Sequence, residues 1–256
     1  MTKKTSIIAF ITAFDKKPHR VVKLLSNQST PPDKIVVVAA YDKACIKGID
    51  CFVDPPDMNL SVGERVGKAL TKAFTKYDIS KYNYVLKLDD DVILPRDFIK
   101  IHIDSGLDII GKGQALLIRT EALLRCLGKL WPPIAADDAY LRLLLLACGY
   151  RGRRLEWLTP VYVEPVKLSL RRSFEIGRDY YRMGLLYINV LYEALKHIIN
   201  GEVKAALGKI SGYIYCLVTD CPGYKYRNTI RKYIINRLKL KFKKIVNKNI
   251  QLFNLF

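Results

Sequence analysis

The chain has 256 residues, 50% hydrophobic and 26% charged, which is enough apolar material to bury a core and excludes a wholly disordered chain. Its 43 Lys+Arg against 24 Asp+Glu give a net charge of +19. The longest runs without a charged residue are ten long (5–14, 183–192 and 210–219), short of the ~20 apolar residues a spanning helix needs.

The opening MTKK followed by TSIIAFITAF mimics a secretory leader, but a charged FDKKPHR follows with no small-residue cleavage site, so the run reads as a first strand. Ser6–Ala13 is therefore a strand, His19–Asn27 a helix and Lys34–Ala40 a buried strand, with a PPD turn before it. Val62–Tyr77 repeats apolar residues at helical spacing, and Asn83–Leu88 is a strand that runs into Asp89-Asp90-Asp91. Gly113–Arg119 reads as a strand, Glu121–Leu127 as a helix, and Asp138–Cys148 as a helix stopped by Gly149. Arg154–Val163, interrupted by Pro160, gives two short strands. This alternation predicts an α/β domain with a mainly parallel sheet over residues 1–165.

From residue 166 the period is helical throughout: Ser173–Ile199, Val203–Thr219, a Cys-Pro-Gly breaker, then Tyr226–Val246. Residues 166–256 hold 18 basic and 5 acidic residues, net +13, which leaves +6 for the rest. From Lys225 to Lys248 there are ten Lys/Arg and no acid, interleaved with Ile, Leu, Tyr and Phe. Such a segment seeks anions, and its helical apolar spacing suits an anionic membrane surface better than nucleic acid. Six cysteines without a CxxC pair and three isolated histidines argue against a Cys/His zinc site; the cysteines read as mostly buried thiols, with a disulfide such as Cys216–Cys221 left open.

The carboxylates carry the chemistry. Asp89 and Asp91, at i and i+2 on the end of a strand, can point to one side, where adjacent like charges are costly unless a cation neutralises them; a solvated acidic turn, or a helix cap for the stretch starting near Pro95, is the competing reading. Mg²⁺ or Mn²⁺ held by one or two carboxylates and completed by substrate phosphates fits that demand, at the strand ends where open α/β sheets bind ligands. A second pair, Asp137-Asp138, opens the apolar helix AYLRLLLLACGY, where a helix cap is the competing reading. Forty-seven positions separate Asp91 from Asp138, room for the chain to return to the same sheet edge, so that one carboxylate binds metal and the other serves as a general base. Trp131 precedes this pair, and two readings stand equally for it: a face on which an acceptor sugar stacks, or a core or loop-packing tryptophan.

In this order the segments IIAFITAFDKKPHRVVKLLSNQS, KIVVV, ERVGKALTKAF, YVLKLDDDVILPRDF and GQALLIRTEALLRCLGKLWPPIAADDAYLRLLLLACGYR resemble a family-2 glycosyltransferase over roughly residues 5–165. The resemblance implies the GT-A (Rossmann-like) nucleotide-diphospho-sugar transferase fold, followed here by a basic helical region. It implies that Asp91 binds a divalent metal with Asp89 near the ribose or metal and Asp90 on the nucleotide side. Asp138 would be the base of an inverting transfer, and Asp137 stands where the family usually has Glu. Thr12 and Ala13 would meet the nucleobase, Asp42 would substitute for the acidic residues that commonly end the second strand, and Arg65 matches an arginine of the family's helix. The stretch RRSFEIGRDYYRMG resembles one that reaches the donor diphosphate in relatives, making Arg171, Arg172, Arg178 and Arg182 candidates, Arg178 foremost. The implied donor is a UDP-, GDP- or dTDP-sugar. The implied acceptor is a glycan or a lipid-linked molecule, met by a protein peripheral to the cytoplasmic membrane face. Two other readings stand beside it: a nucleotidyltransferase, disfavoured because no Gly-rich phosphate loop with a following Lys adjoins the first strand, and a membrane- or nucleic-acid-binding protein driven by its basic tail.

Overall fold

The computed structural model describes residues 5–153, 161–162 and 168–253, and the chain divides into two compact units, Met1–Lys167 and Leu168–Phe256. The first unit is built on strands β1 (Ile7–Ala13), β2 (Lys34–Ala39), β3 (Asp50–Val53), β4 (Tyr84–Asp89), β6 (Ile109–Lys112), β7 (Ala115–Arg119) and β8 (Gly152–Arg153), with a small pair β5 (Val92–Ile93) and β9 (Val161–Tyr162) beside them. Among the described residues the sheet order is β3-β2-β1-β4-β7-β6-β8. Only β7 runs against its neighbours.

From β1 the chain steps outward to β2 and β3, then crosses back to place β4 on the other side of β1, so the direction of winding reverses between β1 and β4. That reversal opens a crevice at the strands' carboxyl ends. The register there pairs Thr12 with Asp89, which sets the acidic cluster at the mouth of the crevice.

β1 is central and buried on both faces, as its continuous apolar run requires. Ile7, Ile11, Leu86 and Leu88 face one layer with α1 (His19–Ser26) and α3 (Phe98–Asp104). On the opposite face Phe10 meets Phe74 of α2 (Val62–Lys76) with ring centroids 4.8 Å apart, and Phe74 in turn meets Trp131 at 5.9 Å. Helix α2 starts on a capping box, Ser61 accepting from the Glu64 amide while the Glu64 carboxylate accepts from the Ser61 amide. Its next turns carry Gly63 and Gly67, where an added Cβ would lie 2.2 Å from the Ile134 carbonyl oxygen and 2.5 Å from the Pro133 Cα. The 132–135 segment is thus pressed onto α2, and it delivers the chain into α5 (Asp137–Ala147), after α4 (Thr120–Leu127) has closed the sheet.

The second unit holds α6 (Leu170–Arg182), α7 (Tyr187–Ile199), α8 (Val203–Val218) and α9 (Arg227–Phe253). The single helix expected over Ser173–Ile199 is two, because Gly184 takes a φ of +91° with its amide on the Tyr181 carbonyl, a left-handed stop that ends α6. The expected thiols are also corrected. Cys45–Cys51 and Cys216–Cys221 are disulfides, and Cys126 and Cys148 are free. Of the two short strands expected over Arg154–Val163, Val161–Tyr162 is a strand, and residues 154–160 and 163 lie outside the described residues.

Candidate active site

The pleat of β4 puts Val85, Lys87 and Asp89 on one face, turned toward α2 and away from the layer that buries Leu86 and Leu88. Lys87 is only 5% exposed. Its ammonium donates to the Asp89 carboxylate at 2.5 Å and to the Gly113 carbonyl at 2.9 Å. Burial alone would lower its pKa, but the charges of Asp89, Asp137 and Asp138 outweigh that and raise it. The Thr12 hydroxyl, at the end of β1, donates to the Leu88 carbonyl (3.1 Å) and meets the Asp89 carboxylate (3.3 Å). The first aspartate of the cluster is therefore fixed by a strand-end hydroxyl and a buried cation.

Asp90, next along, is pushed up to about 6 by burial and by the charges of Asp91 and Asp89, partly offset by its own amide and that of Phe14. Crowded carboxylates of this kind fit a hard divalent cation, which lowers their repulsion. Among the described residues no three or more metal-type side chains form a ready cage. The cluster fits a cation shared with substrate phosphates, as Mg²⁺ usually is, rather than one enclosed by protein alone.

The second acidic pair approaches the first through Lys87. Asp137 and Asp138 occupy the first turn of α5, where the helix dipole favours negative charge. A Cβ on Gly113 would lie 3.3 Å from the Asp138 Cγ, so the Asp138 carboxyl rests against the residue whose carbonyl receives Lys87. Asp137 accepts from the Trp131 indole N–H at 2.8 Å and from the Asp138 amide at 2.9 Å. Loss of hydration pushes Asp137 up to about 6, with Lys87 acting in the opposite sense. Of the two readings of Trp131 the core one is observed and the acceptor-stacking one is not: the ring is 1% exposed and sits on Phe74, so it orients Asp137 from the core.

Beyond the ends of β1 and β2 lies an aromatic and cationic rim. Phe14 and Tyr41 meet edge-on at 5.4 Å, Arg65 covers Phe14 at 5.9 Å, and Lys43 covers Tyr41 at 5.7 Å. A cleft of about 380 Å³ is lined by Ala40, Tyr41, Asp42, Lys43, Val53 and Pro55. Of the residues read from sequence, Asp42 lines this cleft and Arg65 adjoins it through Phe14. Thr12 spends its hydroxyl on β4, and the Ala13 carbonyl accepts from the Ala40 amide. The Cys45–Cys51 disulfide closes the short loop behind the cleft, with Asp42–Ala44 as a single 3₁₀ turn. Lys87, Phe14 and Tyr41 were not singled out from the sequence, although a lysine in phase with Asp89 on an apolar strand is a visible signal.

The candidate arginines lie in the second unit. Arg178 covers Tyr215 at 5.7 Å, Arg182 covers Tyr224 at 4.2 Å and donates to the Pro222 carbonyl, and Arg171 and Arg172 approach Glu175 at 3.6 Å.

Comparison with known proteins bears on the fold. No family model and no curated protein matches the sequence. Among solved structures, the mannosyltransferase PcManGT from Pyrobaculum calidifontis, in complex with GDP-Man and Mn²⁺, superposes with a TM-score of 0.54 at 14% identity over 91% of this chain and 86% of that one. The chain has the GT-A glycosyltransferase fold. S. aureus TarS gives a TM-score of 0.50 at 14% identity, covering 78% of this chain and 43% of that one. The expected fold class, a mainly parallel α/β sheet followed by helices, is the one observed.

Proposed function

We propose that the chain transfers a sugar from a nucleotide-activated donor to a hydroxyl or phosphate acceptor, with inversion and with a divalent metal. The observation that carries this reading is the convergence of Asp89-Asp90-Asp91 and Asp137-Asp138 at one crevice through Lys87, which donates to Asp89 and to the carbonyl beside Asp138. The fold supports it, and so does the GDP-Man and Mn²⁺ bound by the neighbour PcManGT.

Asp91, with Asp89 beside it, would hold the divalent metal, which when bound would supply charge neutralisation for the departing nucleoside diphosphate. The chain's own groups do the rest. Thr12 and Lys87 hold Asp89 in place, and the rim of Phe14, Tyr41 and Arg65 borders the cleft beside Asp42, where a nucleobase has apolar and cationic surfaces to lie on. Asp138 takes the acceptor proton as the acceptor oxygen bonds to the anomeric carbon, and the bond from that carbon to the diphosphate oxygen breaks with its electron pair going to the diphosphate. Asp137, locked by Trp131 and the Asp138 amide, positions the base.

The acceptor we infer is lipid-linked, met by peripheral attachment to an anionic membrane surface. The support is the run of ten cations without an acid between Lys225 and Lys248. Among the described residues no helix is long and apolar enough to cross a membrane.

Release of UDP, GDP or dTDP from a panel of nucleotide sugars, with Mn²⁺ or Mg²⁺ and without, tests the transfer reading. One donor turned over only with metal is expected. No turnover and no metal-dependent nucleotide binding across the panel would reject it.

A further inference from the structure

Helices α7 and α8 are built inside out for a protein surrounded by water. On α7 the inward positions are Val190 and Ala194, while Leu191, Leu195 and Ile199 face outward at 37%, 54% and 74% exposure. On α8 the small residues face α6: a Cβ on Gly177 of α6 would lie 2.1 Å from the Lys209 carbonyl oxygen, and one on Gly212 would lie 2.1 Å from the Phe174 carbonyl oxygen. The large side chains Leu207, Ile214 and Val218 are left outside. Small residues between helices and large apolar ones outside is the arrangement helices take against lipid. An apolar surface this large on a water-soluble protein marks an interaction site.

Length and charge choose the partner. α7 has 13 residues and α8 has 16, so at 1.5 Å per residue they extend ~20–24 Å, too short to cross a ~30 Å hydrocarbon core and suited to lying in its interface. The same unit carries α9, which starts against it through the buried Ile230 and Ile234. Beyond Ile234 α9 is strongly basic, with Arg237, Lys239, Lys241 and Lys243 on exposed turns. Pairing with a second copy would set two units of net charge +12 beside each other, whereas an anionic headgroup layer is complementary to them.

We propose that the α7–α8 hairpin is the surface that inserts into the interfacial layer of an anionic bilayer, while the α9 cations engage the headgroups. This deepens the attachment inferred above and rests on it, and it is independent of the transfer chemistry.

The test is sedimentation of the full chain with vesicles of phosphatidylcholine and phosphatidylglycerol, followed by a wash in 0.5 M NaCl. Salt screens the α9 contribution and leaves the apolar one, so wild type should stay bound through the wash. L191D/L195D/I199D should bind ~100-fold more weakly, since three apolar side chains no longer enter lipid, and should wash off. L207D/I214D, on the other helix, should behave alike, and circular dichroism melts of both variants report that they fold. K239E/K241E/K243E should lose binding at low salt in proportion to charge. Complete release of wild type by salt, or variants retained like wild type, would overturn the proposal. So would a dimer of wild type in sedimentation equilibrium that the apolar variants dissociate while no vesicle binding is seen. Nucleotide-sugar binding measured without vesicles should be unchanged in the apolar variants, and its absence in wild type would fault the transfer reading instead.

Discussion

Replacing Lys87 with Met keeps the length of the side chain and removes the charge that bridges Asp89 to the residue against which Asp138 rests. Two hydrogen bonds go, to Asp89 at 2.5 Å and to the Gly113 carbonyl at 2.9 Å. Removing one partner of a buried ion pair costs about 3–5 kcal/mol. The Asp89 side chain is 24% exposed and regains some water, so we discount to ~2–3 kcal/mol, at and just below the lower limit of that range. For a domain of this size that is a fall of roughly 5–10 °C in melting temperature. Thermal melts of the metal-free protein measure it. Added Mn²⁺ should restore more stability to Lys87→Met than to wild type, because the cation supplies part of the missing positive charge. A melting temperature unchanged within about 2 °C would refute the assignment of Lys87 as the counter-charge. An equal Mn²⁺ effect on both proteins would also refute it.

Gly67→Ala places a Cβ 2.5 Å from the Pro133 Cα, backbone that must move, so it should cost about 1–3 kcal/mol and lower turnover by displacing the segment that leads into Asp137-Asp138. Melts and steady-state rates check both. Trp131→Phe keeps the ring on Phe74 and deletes the bond to Asp137, so turnover should drop while donor affinity holds, and an equal loss of both would count against a positioning role. The pH dependence follows from Asp90 and Asp137, each raised to about 6. Their folded forms hold protons that the unfolded chain releases near 4, so the metal-free protein should gain stability as pH falls from 7 toward 5 and lose it as pH rises through 6. Mn²⁺ binding should show the opposite trend and weaken below pH 6.

Much of this was legible in the sequence because the signals were local. The apolar runs of β1, β2 and β4 and the helical spacing of α2 fix those elements within a residue or two of where they lie. The acidic cluster announces the strand end by itself. What was not legible is what only three dimensions bring together. β3, DCFV, is four residues long with one exposed end, and it is a strand because it pairs with β2. β6, IIGK, is likewise short and owes its place to β7 and β8. The break at Gly184 hides in a run whose apolar period continues on both sides of it. Trp131 beside two prolines could be read as a platform or as core, and the packing of 132–135 on Gly63 and Gly67 decides for the core. Likewise the Cys45–Cys51 pairing depends on the turn at Asp42–Ala44, which spacing alone does not specify.

The central claim is a division of labour between two carboxylates at one crevice. Calorimetric binding of the nucleoside diphosphate with Mn²⁺, beside turnover of the active donor, tests it in Asp91→Ala and Asp138→Asn. The account predicts that Asp91→Ala loses the metal-dependent part of binding. Asp138→Asn should bind within about threefold of wild type and turn over ~10²–10⁴ times more slowly. Turnover by Asp138→Asn near the wild-type rate, or undiminished metal-dependent binding by Asp91→Ala, would contradict it.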